Sequence, residues 1–206
     1  MTISAPEAAF YAGALLILFL TPGPVWVGLL ARAMSGGFAA AWPLSLGVVV
    51  GDVLWSLLAV LGMAWVVDQF SMAMVVMKGV ASITFLVMGL LVLRSAGVWV
   101  GGNGRLTRPG FAAGFLAGLA VILANPKAIL FYMGMLPGFF DLSVLTPADV
   151  AAIAAMSAVV PLVGNLIIAG FVSQVRALLT SGRSVRRMNI ASGCLLIGVG
   201  LAIPVF

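Results

Sequence analysis

Thr21-Pro22-Gly23-Pro24 lies inside a long apolar stretch, with Ala14 to Leu20 before it and Val25 to Leu30 after it. Each proline lacks an N–H, so Pro22 frees the carbonyl of Leu18 and Pro24 frees that of Leu20. In hydrocarbon such groups must be re-satisfied by protein, water or ligand. A second break, Asn125-Pro126-Lys127, interrupts another apolar stretch. There the carbonyl of Ile122 loses its partner, and a lysine occupies a depth where lysine is costly. Two broken helices at matching depth point to the binding site of a transporter.

The surroundings of the breaks fit that reading. Of 206 residues, 64% are hydrophobic and 7% charged, and the mean hydropathy is +1.28. The apolar runs are long and continuous, which predicts an all-α integral membrane protein rather than a β-barrel of short alternating strands. The length suits about six transmembrane helices and a single transporter domain over residues 1–206. The net charge of +5 is assigned to arginines in cytoplasmic loops, not to a nucleic-acid partner, because no basic run or aromatic-interleaved patch is present. One cysteine, Cys194, and no histidine leave no expected metal site, and no cofactor is expected. A Gly-x-x-x-x-Gly-Lys-Ser/Thr loop is absent, so ATP hydrolysis by this chain is excluded. Met1 to Glu7 lacks a basic n-region, so the first span is expected to be retained.

The runs place spans at roughly Ala8–Met34, Ala40–Val67, Met72–Leu93, Phe111–Leu136, Asp149–Val172 and Ile190–Ile203. Arg32, Arg94, Arg105, Arg108, Arg176, Arg183, Arg186 and Arg187 then all fall on one side, and Glu7, Asp68, Asp141 and Asp149 on the other. The positive-inside rule turns both termini outward, away from the cytoplasm. Lys78 is placed near the outer end of the third span, where it can snorkel. Breaks recur in spans one and four, and Gly51-Asp52 in span two is matched by Gly164-Asn165 in span five. Three spans per half is an odd number. Residues of about 6–99 and 109–206 thus form two inverted repeats with a pseudo-two-fold axis in the membrane plane.

In both broken helices a half-helix starts near the midplane, presenting free N–H groups and a positive dipole end. Such ends favour a carboxylate, and Lys127 adds a full charge. Asp52 can hold an ammonium or a proton, and Asn125 and Asn165 can donate and accept hydrogen bonds. Pro22, Gly23, Pro24, Asp52, Asn125, Pro126, Lys127 and Asn165 are therefore the candidate substrate-binding residues, with Asp52 and Lys127 as the proton-coupling pair. Each also has a plainer reading. The prolines can be a packing kink, Asp52 and Lys127 a structural ion pair, and Asn165 a helix–helix hydrogen bond. The Gly47/Gly51, Gly110/Gly114 and Gly114/Gly118 spacings read as packing faces. The tryptophans read as bulk or interface anchors, with Trp55 one turn from Asp52 and able to line a cavity.

Pro22-Gly23-Pro24, Gly36-Gly37, Gly47 and Gly51-Asp52, then Gly114, Gly118, Asn125-Pro126-Lys127-Ala128 and Leu136-Pro137, resemble the LysE/RhtB family of amino acid exporters over nearly the whole chain. The resemblance implies efflux of amino acids or related small metabolites, by exchange for protons, with lipids and a homodimer as further partners. Gly138-Phe139-Phe140 departs from the polar residues many relatives carry after Leu-Pro. The alternative from another class is a membrane-embedded enzyme acting on a lipid or isoprenoid. Such an enzyme needs an acidic metal cluster or a catalytic His, Cys or Ser arrangement, and the predicted spans hold one mid-span acid and no histidine.

Overall fold

Prolines and short polar caps set where the helices begin. Ser4 and Glu7 form a capping box on α1 (Ala5–Leu20), with Pro6 in its first turn. Pro24 opens α2 (Pro24–Gln69). After α3 (Phe111–Leu123), Asn125 caps α4 (Pro126–Met135), which runs into a 3-10 turn, Leu136–Gly138. Thr146 and Asp149 form a second capping box, on α5 (Pro147–Gly170), and α6 is Gly182–Ala202. This computed structural model describes residues 1–21, 23–69, 72, 75, 79, 82–83, 86–87, 90, 93–94, 108–171 and 182–202, and the regular structure among them is helical. Pro22 and Lys78 lie outside the described residues, as does most of the expected third span.

The break expected at Thr21–Pro24 separates α1 from α2, and the break at Asn125–Lys127 separates α3 from α4. The latter pair is bent by 55°. Between the first two expected spans there is no loop. The helix changes direction at Gly36 and Gly37, whose backbone angles are non-helical (φ −152°, ψ 22° and φ 68°, ψ −164°). Gly37 occupies a region that a residue with a Cβ rarely enters. Residues from Phe38 onward are helical again, earlier than the expected Ala40. The last helix also starts early. Arg183, Arg186 and Arg187, read from sequence as a basic loop, are exposed on its first turns. Helical backbone there satisfies its own polar groups without regard to the solvent around it.

Two parallel helix pairs position the centre. Along α1 and α5, Thr2 bonds Asp149, Tyr11 bonds Ser157, and Phe19 lies against Gly164. The offset is nearly constant, so the two run in the same direction. Along α2 beyond its kink and α3, Pro43 lies against Gly114, Leu44 against Gly118, and Gly51 against Ile122. These two are parallel as well. The bent α3–α4 element joins the pairs. It begins at Gly110 beside Arg32 and ends at Phe139 and Phe140 beside Tyr11. One pair therefore starts from each end of the molecule, and they meet at the breaks.

Two stretches, Pro24–Gly62 and Pro147–Gly170, are long and apolar enough to cross a bilayer alone; the bent pair makes a third, and Ala5–Leu20 is a shorter apolar helix. Leu54, Leu58 and Leu61 on α2, and Val159, Val163 and Ile167 on α5, are exposed at helical spacing. Such stripes suit lipid contact. Inside, glycines let backbones touch. A Cβ on Gly47 would strike the Phe115 carbonyl, and one on Gly118 would strike the Leu44 carbonyl.

Gly118→Ala is accordingly expected to destabilise the fold by about 1–3 kcal/mol, since backbone must move to admit the methyl group. Gly62→Ala, where a Cβ meets nothing within 4 Å, should be neutral or stabilising by up to about 1 kcal/mol. Thermal unfolding in detergent reads both. Equal midpoints for the two variants would contradict the close contact at Gly118.

Candidate functional site

The α1 helix ends because the prolines beyond it cannot donate. Thr21 closes its last turn with both N–H and hydroxyl on the Ile17 carbonyl, at 3.1 and 2.8 Å. The freed Leu18 carbonyl is taken by the Lys127 ammonium at 3.1 Å, and the Thr21 carbonyl by the same ammonium at 2.6 Å. Lys127 thus caps the C-terminus of α1 from α4, with its charge where the helix dipole favours a cation. Gly23 lies against it, so that a Cβ there would sit 3.4 Å from Nζ. At the second break the Ile122 carbonyl is recovered by the Asn125 N–H at 3.1 Å.

The half-helices beyond the breaks start with donors to spare. Val27 N–H returns to the Gly23 carbonyl, so Val25 and Trp26 carry first-turn N–H groups with no intrahelical acceptor. At α4 the Asn125 side chain accepts from the Lys127 N–H at 3.2 Å. The Asn125 carbonyl accepts from Ile129 N–H, which leaves Ala128 as the first-turn donor without an intrahelical acceptor.

These groups border one cavity of about 40 Å³, lined by Gly23, Val25, Trp26, Asp52, Asn125, Lys127, Ala128 and Asn165, with Leu15, Leu18, Phe19, Val48, Ile122 and Pro161 supplying apolar wall. Five of the eight residues nominated from sequence are thereby brought together: Gly23, Asp52, Asn125, Lys127 and Asn165. Pro24 and Pro126 start their helices without lining the cavity, and Pro22 is outside the described residues. The sequence reading pairs Lys127 with Asp52. In the structure the ammonium turns to the α1 carbonyls instead, and the two opposite charges share the cavity without a direct bond. Asn165 does not make the helix–helix hydrogen bond considered for it. Among the described residues both its amide atoms are buried without a partner, in a residue only 1% exposed.

Sequence reasoning passed over Trp26 and Tyr132. The Trp26 indole donates to the Phe19 carbonyl at 2.8 Å, stapling across the break, and its ring lines the cavity. No periodicity signals a bond that spans a helix interruption. Tyr132 is fully buried, with its hydroxyl beside Asp52. It lies four residues beyond the cavity-lining Ala128, on the same face of α4, and that i,i+4 spacing was the available clue. Trp55, considered for the cavity, does not line it.

A cavity of this size holds water molecules, not an amino acid. The donor set around it is nevertheless that of a zwitterion site. Orphan N–H groups at two helix starts and the third ammonium proton suit a carboxylate. One buried carboxylate suits an ammonium, and an uncommitted amide can serve either group.

The family model of the LysE type translocator matches residues 16–204. An uncharacterised membrane protein of Synechocystis sp. is 32% identical over 189 residues, covering 92% of this chain and 91% of that protein. Leucine efflux proteins of Salmonella choleraesuis and Salmonella typhimurium are each 28% identical over 134 residues, covering 65% of this chain and 63% of theirs. No solved structure matches the chain.

Replacing the ammonium by an apolar group of similar length strands two carbonyls. Lys127→Met is expected to lower the unfolding free energy by about 1–3 kcal/mol, irrespective of any ligand. A tryptophan-fluorescence melt in detergent measures it. An unchanged midpoint would show that the α1 terminus does not depend on Lys127.

Proposed function

This chain belongs to the LysE type translocator family, and we propose on that premise that it is a secondary exporter of small or medium neutral amino acids. The observation that carries the reading is the convergence of Gly23, Asp52, Asn125, Lys127 and Asn165 on one enclosed cavity at two helix starts. The substrate carboxylate would meet the Val25, Trp26 and Ala128 N–H groups and Lys127, and its ammonium would meet Asp52. A lysine-like substrate would bring a second cation into a cavity lined by one acid. The likeness to leucine efflux proteins supports a neutral substrate.

The transport cycle we infer is alternating access in a single transporter domain of six helices, built as two inverted repeats of about 6–99 and 109–206. The parallel pairs α1–α5 and α2–α3, started from opposite ends, support that arrangement. The cavity, far below the roughly 300–1,000 Å³ of ordinary ligand pockets, supports a resting state too tight for substrate, from which the site must widen. Asp52 is the group that takes the proton. Proton and substrate then bias the same rocking of one half against the other, which is the condition for exchange. The chain would sit in a bacterial inner membrane with both termini outward and the arginines inside. It acts as a transporter and not an enzyme, among lipids and compatible with a homodimer.

Efflux from preloaded cells, measured over a panel of amino acids, tests the substrate. Threonine or leucine is expected to leave faster than in cells lacking the chain; efflux of lysine or arginine alone would contradict the reading. Asp52→Asn should abolish uphill, proton-driven efflux and spare downhill exchange. Uphill efflux at the normal rate and pH dependence would place coupling elsewhere.

A further inference from the structure

Two buried charged side chains lie far from the cavity, at the opposite ends of the bent α3–α4 element. Each half of that element is about 20 Å long at 1.5 Å per residue, and a bend of 55° keeps its ends apart. At one end is Asp149, which has no exposed surface, and at the other Arg32, which is 1% exposed. The Asp149 carboxylate accepts from the Thr2 N–H at 2.9 Å, the Thr2 hydroxyl at 2.9 Å and the Ile3 N–H at 3.1 Å. It also accepts from the Thr146 N–H and hydroxyl of its own cap. The Arg32 guanidinium donates to the Arg108 carbonyl at 2.9 Å, the Gly110 carbonyl at 3.2 Å and the Ala40 carbonyl at 2.6 Å.

The two arrangements correspond. Asp149 sits at the start of α5 and holds the backbone that leads into α1. Arg32 sits before the α2 kink and holds the backbone that leads into α3. Each bridges the first part of the chain to the second, and each grips main-chain groups there. Apolar packing lies inboard of both. Behind Asp149, Tyr11 packs on Phe139 and Phe140 with ring centroids 5.5 and 5.2 Å apart. Phe139 and Phe140 also line a second cavity of about 650 Å³, with Ser4, Glu7, Phe10 and Asp141. Behind Arg32, the backbones of α2 and α3 touch at Gly47 and Gly118.

We propose that Asp149 and Arg32 are opposed latches of the transport path, each holding one mouth shut, so that the path opens on whichever side lets go. The proposal rests on the exporter reading and adds the residues that govern which face the site sees. A rocking motion that widens one end must break the bonds there and keep those at the other. Both sets are formed here, and the cavity between them is too small for an amino acid. Weakening one set shifts the population toward opening at that end alone.

The test uses Ala128→Cys, a cavity-lining reporter, in a Cys194→Ala background of the full chain. Membrane vesicles of each sidedness are exposed to an impermeant maleimide. Cysteines at exposed Val144 and Phe38 report the Thr2 face and the Arg32 face respectively. Asp149→Asn is expected to speed labelling from the Thr2 face by roughly ten- to a hundredfold, the scale of losing a charge-assisted hydrogen bond. Labelling from the Arg32 face should not rise. Arg32→Gln should do the reverse. Thr2→Pro removes two donors while leaving Asp149 and its cap in place, and Arg32→Lys keeps the charge while losing the fork. These milder variants should shift labelling in the same directions, and they decide the matter if the stronger ones fail to fold. Labelling that rises equally from both faces, or from neither, overturns the proposal. The readout needs no transport: efflux without sided labelling refutes the latches, and sided labelling without efflux refutes the exporter reading.

Discussion

The Lys127 ammonium on the Leu18 and Thr21 carbonyls is the contact that the centre of this molecule depends on. A helix that ends inside a membrane leaves carbonyls with no water to meet them. Here a cation from the other broken helix meets them, so one interruption supplies what the other lacks. The arrangement ties α1 to α4 at the depth where both chains turn, and it holds the Asn125 cap, Gly23 and the first turn of α2 around one cavity. Because the ammonium has three protons and spends two on carbonyls, the same group that closes the fold retains capacity for an anion.

Around that contact, close approach is obtained from glycine and direction from proline. Gly47 and Gly118 bring α2 and α3 into backbone contact, and Gly51 and Gly114 admit the Ile122, Arg32 and Pro43 side chains, which is how helices associate where lipid removes the hydrophobic drive. The same tightness accounts for the size of the cavity. A site packed to hold a few water molecules can admit an amino acid only if the parallel pairs part. The aromatic group of Tyr11, Phe131, Phe139 and Phe140 and the glycine contacts are the surfaces that would separate. Phe139 and Phe140, the positions that depart from the resemblance, pack on Tyr11 in that group.

Much of this was legible without coordinates. The helical class, both breaks and the glycine faces follow from proline chemistry, glycine spacing and long apolar runs, all of them local. So does the nomination of Asp52, Asn125, Lys127 and Asn165, since an ionisable or amide group in an apolar run is expensive wherever the chain goes. The start of α6 at Gly182 was misread because polar residues were equated with loop. A helix satisfies its backbone equally well outside the membrane.

What the sequence could not decide is which group answers which. Charge alone pairs Lys127 with Asp52, but hydrogen-bond supply and demand at the end of α1 sends the ammonium to carbonyls. Those carbonyls lie more than a hundred residues away in the chain. The Trp26 staple, the uncommitted Asn165 amide, and the backbone grips of Arg32 and Asp149 are likewise products of packing. Periodicity and motif report what each segment needs, such as a donor, an acceptor or a small neighbour. Only the tertiary arrangement determines who supplies it, because that depends on which segments the fold brings within three ångströms of one another.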